Sequence, residues 1–299
     1  MIERIISIIV PVFGVIGVGY AYARWRGERV RPEAAALNGI TLNVLAPLLC
    51  FTAFASREFE LTQHASLMAA GAIVVVGSGV LAWPIAKLAG IDARTFVPPM
   101  MFNNCGNMGL PLAALAFGTG ALGPAVALFM VSNVLHFSAG VRIVSHGRLP
   151  WRQSLRLLAS PIMIGSAVGL GFAAVRLHLP QALFDGLKLL GDACIPLMLF
   201  SLGVRMIDIS FRSWGVGVLG AVACPATGLA AAYAAAALVS LNEQQWGQLL
   251  LFAALPPAVL NFLIAELYQQ EPERVASIVL LGNIAAVIFV PIGLTLGLR

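Results

Sequence analysis

Long apolar runs fill the chain from end to end, separated by short charged or turn-forming breaks. Read between those breaks, the pattern predicts helices over 2–23, 33–55, 65–88, 95–117 and 121–144. After a polar connector it predicts five more, over 157–177, 183–205, 213–239, 246–268 and 274–298. A helix needs about 20 apolar residues to cross the hydrocarbon core of a bilayer. Barrel strands would instead alternate apolar and polar positions over about 10 residues, and stretches such as 68–86 do not alternate. The expected fold is an all-α polytopic membrane protein with ten transmembrane helices.

Composition removes the other classes. Of 299 residues 60% are hydrophobic and 10% charged, with a mean hydropathy of +0.92; a soluble domain carries about 25% charge. The net charge of +5 and pI near 9.4 do not indicate nucleic acid, because the basic residues are scattered through short loops rather than gathered in a patch. Cys50, Cys105, Cys194 and Cys224 form no CxxC pair and have no histidine cluster beside them, so neither a disulfide framework nor a metal site is expected. The first apolar run continues to about Ala23 without a basic leader or clear cleavage site, and is read as the first span rather than a signal peptide.

Charge also orients the chain. Loops after odd-numbered spans hold thirteen of the 18 Lys and Arg residues. Positively charged loops stay in the cytoplasm, so both termini are expected in the periplasm and the connector in the cytoplasm of a bacterial inner membrane.

The halves resemble each other. Residues 1–145 form the first, 146–156 the connector and 157–299 the second. Pro11 and Gly19 match Pro161 and Gly169; Asn43 and Pro47 match Asp192 and Pro196; Pro98, Pro99 and Asn103 match Pro256, Pro257 and Asn261; Asn133 matches Asn283. Five spans is an odd number, so the second copy enters the membrane from the opposite side and the halves form an inverted repeat. Secondary transporters use such repeats to present one midplane site to either side in turn.

The candidate chemistry lies in spans four and nine. Asn103, Asn104, Gly106, Asn107, Gly109 and Pro111 interrupt an otherwise apolar stretch, and Pro256, Pro257 and Asn261 interrupt its counterpart. Backbone groups freed at that depth must line protein or a wet cavity. Two broken helices crossing there would aim free N–H groups and a partial positive charge at an anion such as a carboxylate. The predicted substrate-binding residues are therefore Asn103, Asn104, Cys105, Gly106, Pro256, Pro257 and Asn261. Simple capping of the broken helix would account for the same asparagines. Ionisable groups within apolar spans are costly, which makes Asp192 the first candidate for ion coupling. His136, Glu266 and Asn43, the first-half counterpart of Asp192, complete that set.

The run Asn104-Cys105-Gly106-Asn107-Met108-Gly109-Leu110-Pro111 resembles the Asn-x-x-x-x-Gly-x-Pro signature of the auxin efflux carrier family, which includes plant PIN-type carriers and bacterial relatives. Asp192 to Pro196, Phe200 to Gly203, and Leu255-Pro256 through Tyr268 are similar to its seventh- and ninth-span segments. The resemblance spans the chain. It implies two inverted five-helix repeats with crossed helices four and nine, as in sodium/proton antiporters and bile-acid symporters. It further implies scaffold and transport halves each built from both repeats, and gives Asn104 the substrate contact. The plant prolines at the crossover are Asn103 and Asn261 here.

The expected activity is alternating-access transport of a small organic anion, either an auxin-like monocarboxylate or a dicarboxylate such as malonate or malate. No ATP motif or cofactor site is present in the sequence. Coupling to H+, to Na+ or to neither stays open, as do a different solute, a passive anion channel and a homodimer. Gly77-Ser78-Gly79 has no convergent histidine and reads as helix packing rather than an enzyme motif.

Overall fold

The computed structural model describes residues 2–147, 159–206 and 213–298. Most of the 146–156 connector lies outside them. Every regular element among the described residues is a helix. Six helical stretches among the described residues are long and apolar enough to cross a membrane: Glu3–Ala55, Leu61–Leu88, Leu122–Val144, Gln181–Arg205, Trp214–Leu238 and Pro272–Gly297. Cys105–Phe117 and Pro161–Ala174 are shorter apolar helices. The chain is a multi-pass membrane protein.

The first stretch, 53 residues, would extend about 80 Å as one straight rod, far more than the roughly 30 Å hydrocarbon core. It is divided at Gly27–Arg29, where Gly27 takes φ +56°, a conformation open to glycine without a Cβ penalty. Helix α1 (Ile2–Arg26) precedes that turn; α2 (Val30–Ile40) and α3 (Ala46–Ala55) follow, joined by a π-type turn at Thr41–Leu45. Then come α4 (Leu61–Leu88), α5 (Ala93–Met101) and α6 (Leu110–Phe117), the last preceded by a π-type turn at Cys105–Gly109. Helices α7 (Leu122–Leu135) and α8 (Val141–Val144) are joined in the same way at His136–Gly140. The remaining helices are α9 (Pro161–Ala174), α10 (Gln181–Asp192), α11 (Cys194–Arg205), α12 (Trp214–Leu238), α13 (Glu243–Ala254), α14 (Val259–Leu267) and α15 (Pro272–Gly297).

The interruption in the fourth apolar run is narrower than the residue types suggest. Only Phe102–Asn104 leaves helical geometry; Gly106, Gly109 and Pro111 lie in the π-type turn and the first turn of α6. Pro111 is tolerated there because a first-turn N–H has no intrahelical partner to lose. The ninth run breaks between Ala254 and Val259, a segment that contains Pro256 and Pro257.

Packing divides the helices into two groups. Helix α1 lies along α11, and α3 along α9 and α10. In the second group, α12 packs on α4 and α15, α13 on α15, and α5 on α4. Glycines set the closest approaches, as expected where lipid supplies no hydrophobic drive between helices. A Cβ on Gly19 would overlap the Phe200 carbonyl, and one on Gly203 the Ile16 carbonyl. Gly77 meets Ala231 and Gly79 meets Met101, while the Ser78 hydroxyl donates to the Val74 carbonyl at 2.7 Å. Gly77-Ser78-Gly79 is thus a packing motif.

Candidate functional site

The two breaks lie against each other and satisfy each other's backbone. Asn103 and Pro257 pair as an isolated antiparallel bridge. The Asn104 amide donates to the Pro256 carbonyl at 2.7 Å, and the Ala258 amide donates to the Phe102 carbonyl at 3.0 Å. Side chains repeat the exchange: Asn103 Nδ2 donates to the Phe252 carbonyl, and Asn261 Nδ2 to the Phe102 carbonyl at 2.7 Å. Each asparagine thus occupies an acceptor from which the opposite break had removed a helical donor. Buried polar groups need such partners, and in hydrocarbon no water supplies them.

Asn104 is held differently. Its Nδ2 donates to Asn283 Oδ1 at 3.0 Å, and Asn283 Nδ2 donates to the carbonyls of Pro257 at 3.0 Å and Val279 at 2.8 Å. Asn283, on α15, is a further member of the site, beyond the residues predicted for it. The correspondence of Asn133 with Asn283 was its signal in the sequence.

A cavity of about 300 Å³ lies beside the breaks. One wall carries Asn103 to Asn107 and Ala258 to Leu260. These are the first turns of the Cys105–Phe117 helix and of α14, where N–H groups lack intrahelical partners and the helix dipole is positive. The lining also includes Asn38, Thr41 and Asn43 from α2 and its π-type turn, with Met198, Ser201 and Arg205 from α11. Ser132, Asn133 and His136 complete the polar lining. No acidic side chain lines the cavity among the described residues. The lining is drawn from both packing groups and includes Ser160 and Arg205.

Several polar atoms of the lining residues lack a partner. Thr41 Oγ1, Asn103 Oδ1 and Ser201 Oγ are buried without a hydrogen bond, as is Asn261 Oδ1 beside the break. Leaving such atoms unpaired costs about 1–3 kcal/mol each.

The predicted residues divide between places. Asn103, Asn104, Cys105 and Gly106 line the cavity; Pro256, Pro257 and Asn261 are buried behind it and hold the breaks together. His136 lines the cavity and stacks on Phe102, with ring centroids 4.0 Å apart and planes 6° from parallel. Asn43 also lines it, while its own amide donates to the Gly39 carbonyl at 2.9 Å. Asp192 is elsewhere. Its carboxylate accepts from Lys188 Nζ at 2.6 Å, one helical turn away, in a separate pocket with Arg57, Glu58 and His178. Glu266 is exposed near the end of α14. Ser201 and Arg205 are further polar lining residues, and their spacing with Met198 places all three on one helix face.

A family profile described as "Membrane transport protein" matches residues 4–148 and 150–294. The chain belongs to this family, that of the auxin efflux carriers. A Rhizobium meliloti protein named "Putative malonate transporter" is 24% identical over 95% of this chain and 93% of its own. An uncharacterized transporter of Methanocaldococcus jannaschii is 22% identical over 91% of this chain and 92% of its own. Both matches run nearly end to end. The protein is a transporter rather than an enzyme.

Proposed function

We propose that this protein is a secondary carrier of small organic anions, dicarboxylates of the malonate class in particular, working by alternating access in the bacterial inner membrane. One observation carries the reading: the cavity beside the paired breaks presents two helix N-termini and several amides but no acidic side chain among its described lining. Such a site favours a carboxylate over a cation or a neutral solute. The name of the Rhizobium meliloti relative supports malonate as the first candidate.

In this reading the ten spans form two inverted five-helix repeats whose fourth and ninth helices cross at the breaks. The group packed around α12 and α15 is the transport half, and the group of α1, α3, α9, α10 and α11 the scaffold. The lining of the cavity between them includes Arg205, at the end of the bundle that also bears Arg31, Arg94 and Arg274. By the distribution of positive charge that end is cytoplasmic and both termini are periplasmic. ATP is not required to move the anion; the solute gradient drives it down its concentration difference and the membrane potential acts on its charge.

Counterflow of labelled malonate in proteoliposomes tests the reading. Internal unlabelled malonate accelerates uptake by a carrier, whereas a channel equilibrates without such stimulation. N104A is expected to abolish the exchange while the purified protein keeps its elution volume; undiminished exchange in N104A rejects the site.

A further inference from the structure

Arg205 is the one charged side chain in the described lining of the cavity, which it shares with Asn103 to Asn107 of the first break. It ends α11, half-buried, with no ion-pair or hydrogen-bond partner among the described residues. Other arginines of that end of the bundle are engaged: Arg26 with Glu33, Arg94 with Asp92, Arg274 with Glu271. A basic residue in the last turn of a helix gains from the dipole, but that gain does not require it to line a polar cavity. One turn before it lies Ser201, whose buried hydroxyl has no partner, and Thr41 of the same cavity lining carries a second unpartnered hydroxyl.

We propose that Ser201 and Arg205, with Thr41, form a second carboxylate subsite in the cavity beside the breaks. The inference rests on the carrier reading above and sharpens it to doubly charged cargo. One carboxylate is taken by the half-helix N-termini at Asn104 to Gly106; the other is taken by the guanidinium and the two hydroxyls. An arginine fork suits a carboxylate because it donates two parallel hydrogen bonds in a fixed plane. The subsite belongs to one packing group and the breaks to the other, so a dicarboxylate joins both groups whereas a monocarboxylate engages one.

The test compares malonate with propionate, by thermal shift of the purified protein and by inhibition of malonate counterflow, in wild type, R205Q, R205K, S201A and R142Q. Wild type is expected to respond to malonate at concentrations about tenfold or more below those needed for propionate, the range for one charge-assisted hydrogen-bond pair. R205Q brings that ratio to within about twofold, R205K retains part of it, and S201A reduces it by several-fold with a smaller effect on folding. R142Q, which removes an exposed positive charge from α8 outside the cavity, keeps the wild-type ratio and separates local binding from general attraction of anions. An R205Q and S201A pair that both retain the wild-type ratio overturns the subsite, as does a wild type that answers propionate as readily as malonate. A folded wild type that answers neither acid sinks the carrier reading itself, which distinguishes the two failures.

Discussion

Asn104 and Asn283 share a hydrogen bond of 3.0 Å between buried side chains that lie 179 positions apart in sequence. Because Asn283 also donates to the Pro257 carbonyl, one amide on α15 ties the break after α5 to the break after α13. The geometry of the cavity wall therefore depends on a residue that does not itself line that cavity.

Asn283→Ala is expected to leave Asn104 Nδ2 and the Pro257 carbonyl unpaired, at about 1–3 kcal/mol for each buried group. Malonate counterflow should fall by about tenfold or more, together with a lower Tm. Wild-type exchange in N283A would show that Asn104 is positioned by something else.

Gly203→Ala places a Cβ against the Ile16 carbonyl, a backbone atom that cannot swing away. The expected loss is about 1–3 kcal/mol, the range for overpacking a tight interior. Gly171→Ala, whose Cβ would meet nothing within 4 Å, is the comparison. Thermal melts in one detergent should show a lower Tm for G203A only.

Asp192→Asn should leave malonate exchange within about twofold of wild type. Its carboxylate is paired with Lys188 in a pocket apart from the cavity, and a partly exposed pair of this kind contributes about 0–1 kcal/mol. Loss of exchange, or an altered pH profile of transport, would return Asp192 to the translocation path.

Asp92, in the loop between α4 and α5, makes stability depend on pH. The Arg94 guanidinium beside it is the main reason its carboxyl is held down at about 2, with further hydrogen bonds from the Arg94 backbone and Gln270. A carboxyl with a depressed folded pKa stabilises the fold fully above its unfolded value of about 3.9 and loses that contribution as pH falls toward about 2. D92N should therefore melt below wild type at neutral pH, and the gap should narrow below about pH 4 and close near pH 2. A gap unchanged between neutral pH and about pH 2.5 would assign the effect to lost capping of α5 instead.

Much of the helical layout was legible because lipid imposes it. The apolar runs, their lengths and the polar interruptions at Asn103, Asn104, Pro256 and Pro257 are demanded by the cost of unpaired backbone in hydrocarbon. Their extents also differ from the reading in instructive ways. The fourth run breaks over Phe102–Asn104 alone, because Gly106 and Gly109 tolerate the π-type turn and Pro111 sits where it forfeits no hydrogen bond.

The sequence by itself determined that this chain is a helical membrane protein, a member of a transporter family, with polar interruptions in two of its apolar runs, since hydrophobicity and local backbone preference act between near neighbours. Only the tertiary structure decided what those interruptions touch. Asn103 finds Phe252, Asn261 finds Phe102 and Asn104 finds Asn283 across 149 to 179 positions, while Asp192 finds its lysine one turn away. Ser201 and Arg205 face the cavity for the same reason: the direction of a side chain on a helix follows from its spacing, but what stands opposite is set by how the helices pack.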